Sequence, residues 1–382
     1  MKMLVLGAGL QGCACAFDLL QSPAVARVTL ADLRPDHLPA FLSGQGDWGG
    51  RLQTVRLDVT DPVAVRETMR GQSSVMSAIP YYYNEPMARA AVQAGCHFSD
   101  LGGNTEIVFE QKKLDAEASA RNVSVIPDCG LAPGMVNILA AEGIRRLDRA
   151  DSVKVYVGGL PQQPEPPLNY QIVYSLEGAL DYYTTPSWVL RGGKPVQVDA
   201  LSELEAVEFP QPVGTLEAFH TGGGISTLPF AYQDKVDVME YKTLRYPGHV
   251  AIMRPIRELG LLDNAPVEVK GKSVVPRDVF IATVHPKLHK PQGKDLVALR
   301  VTVRGTKDGA ARQITFRLID RYDAEHGISA MMRTTGYSLS ITGQMQADGR
   351  VTQKGVHTPD EAIPFGAYVE ELGRRGVKIE EL

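Results

Sequence analysis

The sequence predicts an α/β protein: a Rossmann-type doubly wound parallel sheet, plus a second α+β domain with an open mixed or antiparallel sheet. Three observations support this prediction. A glycine-rich turn from Gly7 to Gly12 interrupts an apolar run at the start of the chain. Short apolar strands then alternate with helical segments as far as Pro127. Beyond that proline the segments become longer and strand-dominated, which indicates a second architecture.

The opening turn has the spacing G-x-G-x-x-G that is typical of dinucleotide-binding proteins. In such a turn the first glycine permits the bend, the second lets backbone approach a pyrophosphate, and the third lets helix and strand pack closely. Asp32 follows the second predicted strand about 20 residues after the motif, where an acid can accept a hydrogen bond from a ribose 2′-hydroxyl. We therefore predict that the cofactor is bound by Gly7, Gly9, Leu10, Gln11, Gly12 and Asp32.

The first domain continues as alternating strands and helices. The predicted strands are Met3–Leu6, Val28–Ala31, Thr54–Leu57, Ser74–Ile79, Cys96–Ser99 and Val123–Ile126. The predicted helices are Gln11–Leu20, Pro62–Met69, Glu85–Ala94 and Glu106–Arg121. Ligands of such sheets lie outside the carboxyl ends of the strands. We therefore expect Asp58, Ile79 and Pro80 to contact the cofactor, and residues 100–104 and 128–135 to face the nicotinamide and the substrate.

The second domain is predicted from longer strands. These are Val153–Val157, Tyr170–Tyr174, Pro195–Val198, Lys235–Arg245, Leu296–Arg304 and Gln313–Tyr322. Helices are predicted at Met135–Leu147, Glu177–Tyr183, His249–Leu259 and Pro276–Val284, and again at Ser329–Met345 and Pro364–Arg374. The last two should return to the first domain. We thus predict a dinucleotide-binding domain of residues 1–127 plus 330–382 and a substrate, catalytic and oligomerisation domain of residues 128–329, with the substrate in the cleft between them.

Composition narrows the class of protein. The chain has 382 residues and a net charge of −4, which argues against a nucleic-acid binder because such proteins carry a basic face. Its four cysteines do not have metal-ligand spacing, so we expect reduced thiols and no metal. No apolar run is long enough for a membrane span or fits a signal sequence. We therefore expect a cytoplasmic protein with a small-molecule substrate, no nucleic-acid or membrane partner, and a homo-oligomeric state.

Several polar residues of the second domain are candidates for chemistry. His220 precedes a triple glycine, and imidazole has a pKa suited to acid–base catalysis, although a structural role is equally compatible. Lys242 shares a strand face with Glu240, so the two either pair with each other or serve a function. Arg245 has the planar fork that clamps a carboxylate, with a surface position as the alternative.

Two further stretches add candidates. Tyr170 and Glu177 lie near each other, and the Glu177 carboxylate could hold a substrate ammonium. Asp128 is the better-placed acid because it ends the sixth predicted strand. The catalytic candidates are therefore His220, Lys242 and Asp128, and the substrate-binding candidates are Tyr170, Glu177 and Arg245.

With these residues identified, the chain resembles the saccharopine-dehydrogenase-like oxidoreductases, and among them the lysine 6-dehydrogenases of bacteria. The resemblance covers nearly the whole length. Its motifs are Leu4-Val-Leu-Gly-Ala-Gly-Leu-Gln-Gly12, Asp100-Leu-Gly-Gly103, Ile126-Pro-Asp-Cys-Gly-Leu-Ala-Pro-Gly-Met135, Tyr156-Val-Gly-Gly-Leu-Pro161, Ser175-Leu-Glu-Gly178, Leu216-Glu-Ala-Phe-His-Thr221, Tyr241-Lys-Thr-Leu-Arg-Tyr-Pro-Gly-His249 and Pro276-Arg-Asp-Val279.

The resemblance implies NAD-dependent oxidative deamination of the ε-amine of L-lysine, giving 2-aminoadipate 6-semialdehyde, ammonia and NADH. Asp32 favours NAD over NADP, although Arg34 could partly accommodate a 2′-phosphate. The ε-ammonium has a pKa of about 10.4, so a base is needed near pH 7, and we expect His220 or Lys242 to supply it. In this hypothesis Arg245 holds the α-carboxylate and Glu177 the α-ammonium.

Two alternatives remain open from the sequence. A saccharopine or carboxynorspermidine dehydrogenase would act on a secondary amine with NAD(P), and its substrate carries an extra carboxylate. A second arginine in the cleft, such as Arg254, Arg333 or Arg191, would favour that reading. A dinucleotide-binding regulatory protein without catalysis is the other alternative, since a fold alone does not establish chemistry.

Overall fold

The computed structural model describes residues 1–44 and 48–382. Its strands, in chain order, are β1 (Lys2–Leu6), β2 (Arg27–Asp32), β3 (Leu52–Arg56), β4 (Ser74–Ser77), β5 (His97–Asp100), β6 (Ser124–Ile126), β7 (Arg149–Pro161), β8 (Ser187–Arg191), β9 (Lys194–Val198), β10 (Glu205–Glu208), β11 (Thr215–His220), β12 (Val238–Arg245), β13 (Val267–Val269), β14 (Lys272–Val274), β15 (Asp295–Lys307), β16 (Ala310–Arg321), β17 (Gly355–Val356) and β18 (Glu380–Glu381).

The α-helices are α1 (Leu10–Gln21), α2 (Ala40–Ser43), α3 (Pro62–Met69), α4 (Asn84–Ala94), α5 (Thr105–Lys112), α6 (Asp115–Ala120), α7 (Met135–Arg145), α8 (Leu176–Thr184), α9 (Leu228–Ala231), α10 (His249–Glu258), α11 (Pro276–Leu288), α12 (Ala330–Ala347), α13 (Pro359–Ala362) and α14 (Phe365–Arg374). Short 3-10 turns lie at Trp48–Gly50 and Tyr81–Tyr83.

The first sheet is the parallel sheet that the sequence predicts. Its strand order is β17-β6-β5-β4-β1-β2-β3, and every pairing is parallel. The chain order reverses beside β1, since β2 lies on one side of that strand and β4 on the other. A crevice forms at such a reversal, outside the carboxyl ends of the strands. The turn at Gly7 therefore opens where a dinucleotide would bind.

The second sheet has nine strands and is mixed. Its main path is β10-β11-β12-β7-β15-β16-β18, and β8 joins it by pairing with β12 and β9. Only the β12–β7 pairing among these is parallel, as the predicted open mixed sheet requires. On β7, Val153, Val155 and Val157 join the core that continues into the first sheet. The alternate residue Tyr156 joins a smaller apolar cluster on the outer face. One face of this sheet thus belongs to the main core, and the other face carries a separate apolar cluster.

The C-terminal segment packs against the first sheet. A Cβ at Gly336 of α12 would lie 2.7 Å from that of Ala14, so α12 and α1 are in close contact. Ser340 donates to the buried carboxylate of Asp18 at 2.6 Å, and Arg375 pairs with the same carboxylate at 2.6 Å. β17 then extends the sheet beside β6. A segment far along the chain therefore covers one side of the cofactor helix.

Several segments differ from the predicted elements, among them strands β8 and β10, which were not predicted. Residues 170–174 form a loop, in which Tyr170 and Ile172 enter the apolar cluster with α10 and α11, while Val173 and Tyr174 pack in the main core. The predicted helix over residues 106–121 divides into α5 and α6. Residues 215–220 form β11, a strand that their polar composition did not indicate.

All four cysteines are buried thiols without disulfides. Across residues 1–44 and 48–382, the helices are too short or too polar to traverse a bilayer.

Candidate functional site

The glycine-rich turn has the geometry of a dinucleotide-binding loop. Gly7 has φ of 97°, and a Cβ there would lie 2.7 Å from the carbonyl oxygen of Ala78. A Cβ on Gly12 would lie 1.8 Å from the carbonyl oxygen of Gly7, so only glycine lets α1 pack on this turn. At Gly9 a Cβ would meet nothing within 4 Å. Gly9 therefore faces open space at the helix N-terminus, as close approach of a pyrophosphate requires.

Two further observations fit a dinucleotide at this position. Both polar atoms of the Gln11 side chain are buried without a hydrogen-bond partner in the described chain, and Gln11 lines the cleft described below. A cavity of about 760 Å³ adjoins the turn and is lined by Gly9, Leu10 and the segment 35–39. The residues present thus fit a nicotinamide dinucleotide.

Asp32 lies at the end of β2, beside the turn. Its Oδ2 accepts from the amide of Ala8 and its Oδ1 from the amide of Arg34, both at 2.8 Å. These bonds fix the carboxylate next to the loop that would hold the adenosine ribose. Asp58 is exposed after β3, and its Oδ1 accepts from both the amide and the hydroxyl of Thr60. Asp58 thus stabilises its own turn, and its contact with the cofactor stays a prediction.

A cleft of about 430 Å³ lies between the carboxyl ends of the first sheet and the inner face of the second sheet. The first sheet contributes Ile79 and Pro80, which follow β4 as predicted. The second sheet contributes side chains of β7 and β12, and α8 closes one side. The full lining is Gln11, 78–82, 101–102, 130–132, Val157, Gly159, Tyr174, Ser175, Glu177, Gly178, Asp181, Tyr182, Gly222, Gly224, Tyr241, Thr243, Arg245, Met331 and Thr335.

Arg245 is the cation of this cleft. Its side chain is only 3 % exposed. Its Nε donates to the hydroxyl of Tyr183 at 3.1 Å, Nη1 donates to a backbone carbonyl at 2.9 Å, and its guanidinium lies 4.8 Å from the ring centre of Tyr170. Within the described residues no carboxylate pairs with it. A buried charge without a counter-ion is costly, so this guanidinium is suited to bind a substrate carboxylate.

Tyr170 contacts Arg245 but does not line the cleft. The structure places its ring behind Arg245, away from the cleft lining, with its hydroxyl buried. The expectation that Tyr170 contacts substrate directly is corrected to support of Arg245. The cause is the loop at residues 170–174, which turns Tyr170 inward and brings Tyr174 to the cleft.

Two acids of α8 line the cleft. Glu177 is exposed in the first turn of the helix, and Asp181 lies one turn later on the same face. Asp181 pairs with the buried Arg277 of α11, which stands behind it and does not line the cleft. The sequence interpretation included Glu177 but missed Asp181. The helical spacing of four residues was the available signal.

His220 and Lys242 lie on the opposite face of the second sheet from the cleft, which corrects the expectation that one of them acts there. The register pairs His220 with Lys242 and Phe219 with Thr243. Because side chains alternate along a strand, Thr243 and Arg245 face the cleft and Lys242 faces away. The register of β12 with β7 and β11 determines which of its residues face the cleft, and the sequence did not reveal that register.

The outward-facing charges are paired with each other. Lys242 Nζ lies 2.8 Å from Glu205, and His220 Nε2 lies 3.0 Å from Glu203. Glu240 pairs with Lys154 at 3.0 Å and Arg191 at 2.8 Å. A metal ion would need ligands such as His220, Glu203 and Glu240, whose ligand atoms lie within 4.8 Å of one another. The two carboxylates already have cationic partners. A structural role for the whole network follows.

Asp128 lies behind the cleft wall. It is fully buried with φ of 63°, and its Oδ1 accepts from the amide of Gly103 at 3.2 Å. Its Oδ2 makes no hydrogen bond of ordinary geometry in the described chain, and the neighbouring Ser226 hydroxyl lowers the pKa of the carboxyl only in part. Burial, together with the nearby charge of Asp100, raises the pKa of Asp128 to about 7. Burial likewise raises the pKa of Asp100 to about 6. A neutral form is therefore populated near pH 7, but Gly102 and Gly103 separate the carboxyl from the cleft.

The other candidate arginines lie outside the cleft. Arg254 donates to the carbonyl of Leu201, Arg333 pairs with Asp320 at 2.9 Å, and Arg191 pairs with the outer acids. Among the described residues that line the cleft, Arg245 is therefore the single arginine.

Two family models match the chain. The Saccharopine dehydrogenase NADP binding domain matches residues 3–126, and the Saccharopine dehydrogenase C-terminal domain matches residues 130–377. The boundary between the two models lies near residue 127, where the chain leaves the first sheet.

Individual proteins agree with these matches. Saccharopine dehydrogenase (NADP(+), L-glutamate-forming) of Schizosaccharomyces pombe is 22 % identical over 407 residues, covering 86 % of this chain and 88 % of that protein. Carboxyaminopropylagmatine dehydrogenase of Synechocystis is 22 % identical over 424 residues, covering 100 % of this chain and 97 % of that protein.

A solved structure has the same fold. Apo saccharopine dehydrogenase (L-Glu forming) from Saccharomyces cerevisiae superposes with a TM-score of 0.80 at 20 % identity, covering 100 % of this chain and 99 % of that one. The two family models together span nearly the whole chain and follow the order of its two sheets. The chain belongs to the saccharopine dehydrogenase family of oxidoreductases.

Proposed function

We propose that this protein is an NAD-dependent dehydrogenase that oxidatively deaminates the ε-amino group of L-lysine to 2-aminoadipate 6-semialdehyde, with release of ammonia. The reaction consumes one water, and the hydride from Cε reduces NAD to NADH. The observation that carries this proposal is the charge pattern of the cleft, which is lined by two acids and by Arg245, an arginine without a carboxylate partner in the described chain.

Lysine matches that pattern group for group. It has one carboxylate, which Arg245 can hold through the N–H groups that have no acceptor among the described residues. It has two ammonium groups, for which Glu177 and Asp181 supply carboxylates. Arg277 offsets part of the charge of Asp181, which makes Glu177 the stronger partner for the α-ammonium. Aromatic and aliphatic lining such as Tyr174 and Met331 suits the methylene chain.

The residues of the chain would position the substrate and exclude water. The turn at Gly7–Gly12 and Gln11 would hold NAD, which when bound would supply the hydride acceptor. Arg245 on β12 would anchor the carboxylate, and the length of lysine would then direct Cε toward Ile79 and Gly102. Freeing the lone pair of the ε-amine near pH 7 costs about 4 to 5 kcal/mol. Asp128, with a pKa raised to about 7 by burial, stays our candidate proton acceptor, although transfer to it requires a path past Gly103.

Three incubations test the activity. Purified protein with NAD and L-lysine should produce NADH at 340 nm and the semialdehyde, detected by its cyclisation. Saccharopine should give no NADH, and L-norleucine, which lacks the ε-amine, is the matched negative control. Turnover of saccharopine without turnover of lysine would refute the proposal, and cofactor binding without any turnover would favour a regulatory protein.

Saccharopine dehydrogenase activity is the second candidate, because that name is carried by relatives of similar length. Its substrate has an extra carboxylate, and the described cleft offers Arg245 alone among arginines. The single arginine supports lysine over that alternative.

For the cofactor we propose NAD in preference to NADP. This preference is supported by the Asp32 carboxylate beside the glycine turn, which would accept from the 2′-hydroxyl of an NAD ribose and repel a 2′-phosphate. The matched family domain and the fission-yeast relative carry NADP in their names, and Arg34 and Arg56 offer nearby cations. The dissociation constants of NAD and NADP test this preference. A lower dissociation constant for NADP than for NAD would refute it.

A further inference from the structure

Arg245 is held by a chain of hydrogen bonds that runs away from the cleft. Its Nε donates to the hydroxyl oxygen of Tyr183 at 3.1 Å. The same hydroxyl lies 2.9 Å from His249 Nε2, and His249 Nδ1 lies 3.1 Å from the carbonyl oxygen of Leu168. These four groups are buried together on the inner side of the second sheet.

The chemistry of these groups determines which atom donates in each of the three hydrogen bonds. A backbone carbonyl only accepts, so the proton of the His249 ring is on Nδ1. Burial lowers the pKa of His249 to about 3, and the charge of Arg245 acts in the same direction, so the ring is neutral. Nε2 is then an acceptor, and Tyr183 must donate its proton to it. The lone pairs of the Tyr183 oxygen are thereby left for the Nε–H of Arg245.

His249 is itself held firmly. Its ring stacks on Phe219 with centres 6.3 Å apart and planes 10° apart. Its backbone begins α10, where the Glu217 carboxylate accepts from the amides of Gly248 at 3.0 Å and Val250 at 2.7 Å. Glu217 lies opposite Arg245 in the β11–β12 register. Arg245 is therefore anchored on β12, and His249 is anchored through Glu217 to the neighbouring strand β11.

We propose that His249 is a positioning residue for substrate recognition: by orienting the Tyr183 hydroxyl, it aims the Arg245 guanidinium at the α-carboxylate. This inference rests on the proposed function. Without an acceptor at residue 249, the phenolic proton is free to turn toward Arg245, where a donor faces a donor. The guanidinium then loses one of its two fixed contacts and its orientation toward the cleft.

The test measures ligand binding to the NAD-loaded protein by isothermal titration calorimetry. L-Norleucine carries the carboxylate and α-ammonium of lysine, whereas 1,5-diaminopentane carries the amines without the carboxylate. His249→Phe keeps a ring without the acceptor, Tyr183→Phe removes the hydroxyl, and His249→Gln restores an acceptor. His285→Phe, on the exposed part of α11, is the control substitution.

We expect His249→Phe and Tyr183→Phe each to weaken norleucine binding about tenfold, the worth of one hydrogen bond to a charged group. Diaminopentane binding should stay within about twofold, and His249→Gln should recover most of the norleucine affinity. Equal loss for both ligands, or no loss for norleucine, overturns the proposal. If His249→Phe does not fold, His249→Leu takes its place as the variant without an acceptor, and recovery of norleucine affinity in His249→Gln is judged against it.

Failure of the proposed function is distinguishable from failure of this inference. Wild-type protein that binds norleucine but does not oxidise lysine refutes the lysine activity, and the selective effect of Tyr183→Phe still supports the inference. Wild-type protein that oxidises lysine but does not bind norleucine refutes this inference alone, and protein that does neither refutes both.

Discussion

Replacement of Asp128 by asparagine should stabilise the protein increasingly as the pH rises. Asp128 is fully buried, and burial raises its pKa to about 7, whereas an aspartate in the unfolded chain titrates at about 3.9. The native state therefore retains a proton that the unfolded state has lost, and the stability of the wild type is lost as pH rises through the native pKa. Asparagine keeps the shape and tolerates the positive φ of 63° at this position.

The size of the effect follows from the pKa difference. Between pH 5 and pH 7 the unfolded carboxyl is ionised and the native one is protonated, so each pH unit costs the wild type about 1.4 kcal/mol. Asp128→Asn should therefore gain roughly 2 to 3 kcal/mol relative to wild type between pH 5 and pH 8, with a plateau above pH 7.

Urea unfolding at several pH values measures this difference. Asp148→Asn is the control, because Asp148 is an exposed carboxylate whose pKa is lowered by Lys307. A lowered pKa contributes stability that is lost only toward acid, so the Asp148→Asn difference should be flat from pH 5 to pH 8. A flat profile for Asp128→Asn as well would show that the buried carboxyl is not protonated in the native state.

Three further substitutions test the cofactor loop and the cleft. Gly12→Ala puts a Cβ 1.8 Å from the Gly7 carbonyl oxygen, and we expect NAD affinity to fall at least about tenfold and stability by about 1 to 3 kcal/mol; Gly366→Ala, whose Cβ meets nothing within 4 Å, should be neutral or slightly stabilising. Asp32→Asn keeps an acceptor but removes the charge, so the ratio of NADP to NAD dissociation constants should fall about tenfold in fluorescence titrations, and an unchanged ratio would remove Asp32 from discrimination. Asp181→Asn should raise KM for lysine about three- to tenfold and leave NAD binding unaltered; an unchanged KM would exclude Asp181 from ammonium binding.

Much of the fold was readable in the sequence because it is encoded locally. The alternation of short apolar strands and helices up to residue 127 predicts a parallel sheet, and the structure has that sheet. The backbone geometry of the turn requires glycine at position 12, since a Cβ there would lie 1.8 Å from the carbonyl oxygen of Gly7. Loops were harder to predict from the sequence. Residues 170–174 have a strand-like composition, yet they form a loop whose Tyr170 and Ile172 pack with α10 and α11.

The candidate site was readable only in part. Arg245 was identified from its chemistry, and the structure adds that its charge has no carboxylate partner in the described chain. Lys242 and His220 had equally suitable chemistry but face the other side of the sheet. Asp181 was missed because its place in the cleft depends on the position of α8 against β12.

The sequence by itself determined the dinucleotide-binding turn, the parallel sheet and the order of the two architectures, because each depends on neighbours within a few residues. Only the tertiary structure decided which face of β12 meets the cleft, because strand parity is set by register with β7 and β11, and a shift of one residue exchanges the two faces. That choice brings Arg245 to the substrate and leaves His220 and Lys242 in an outer network of paired charges.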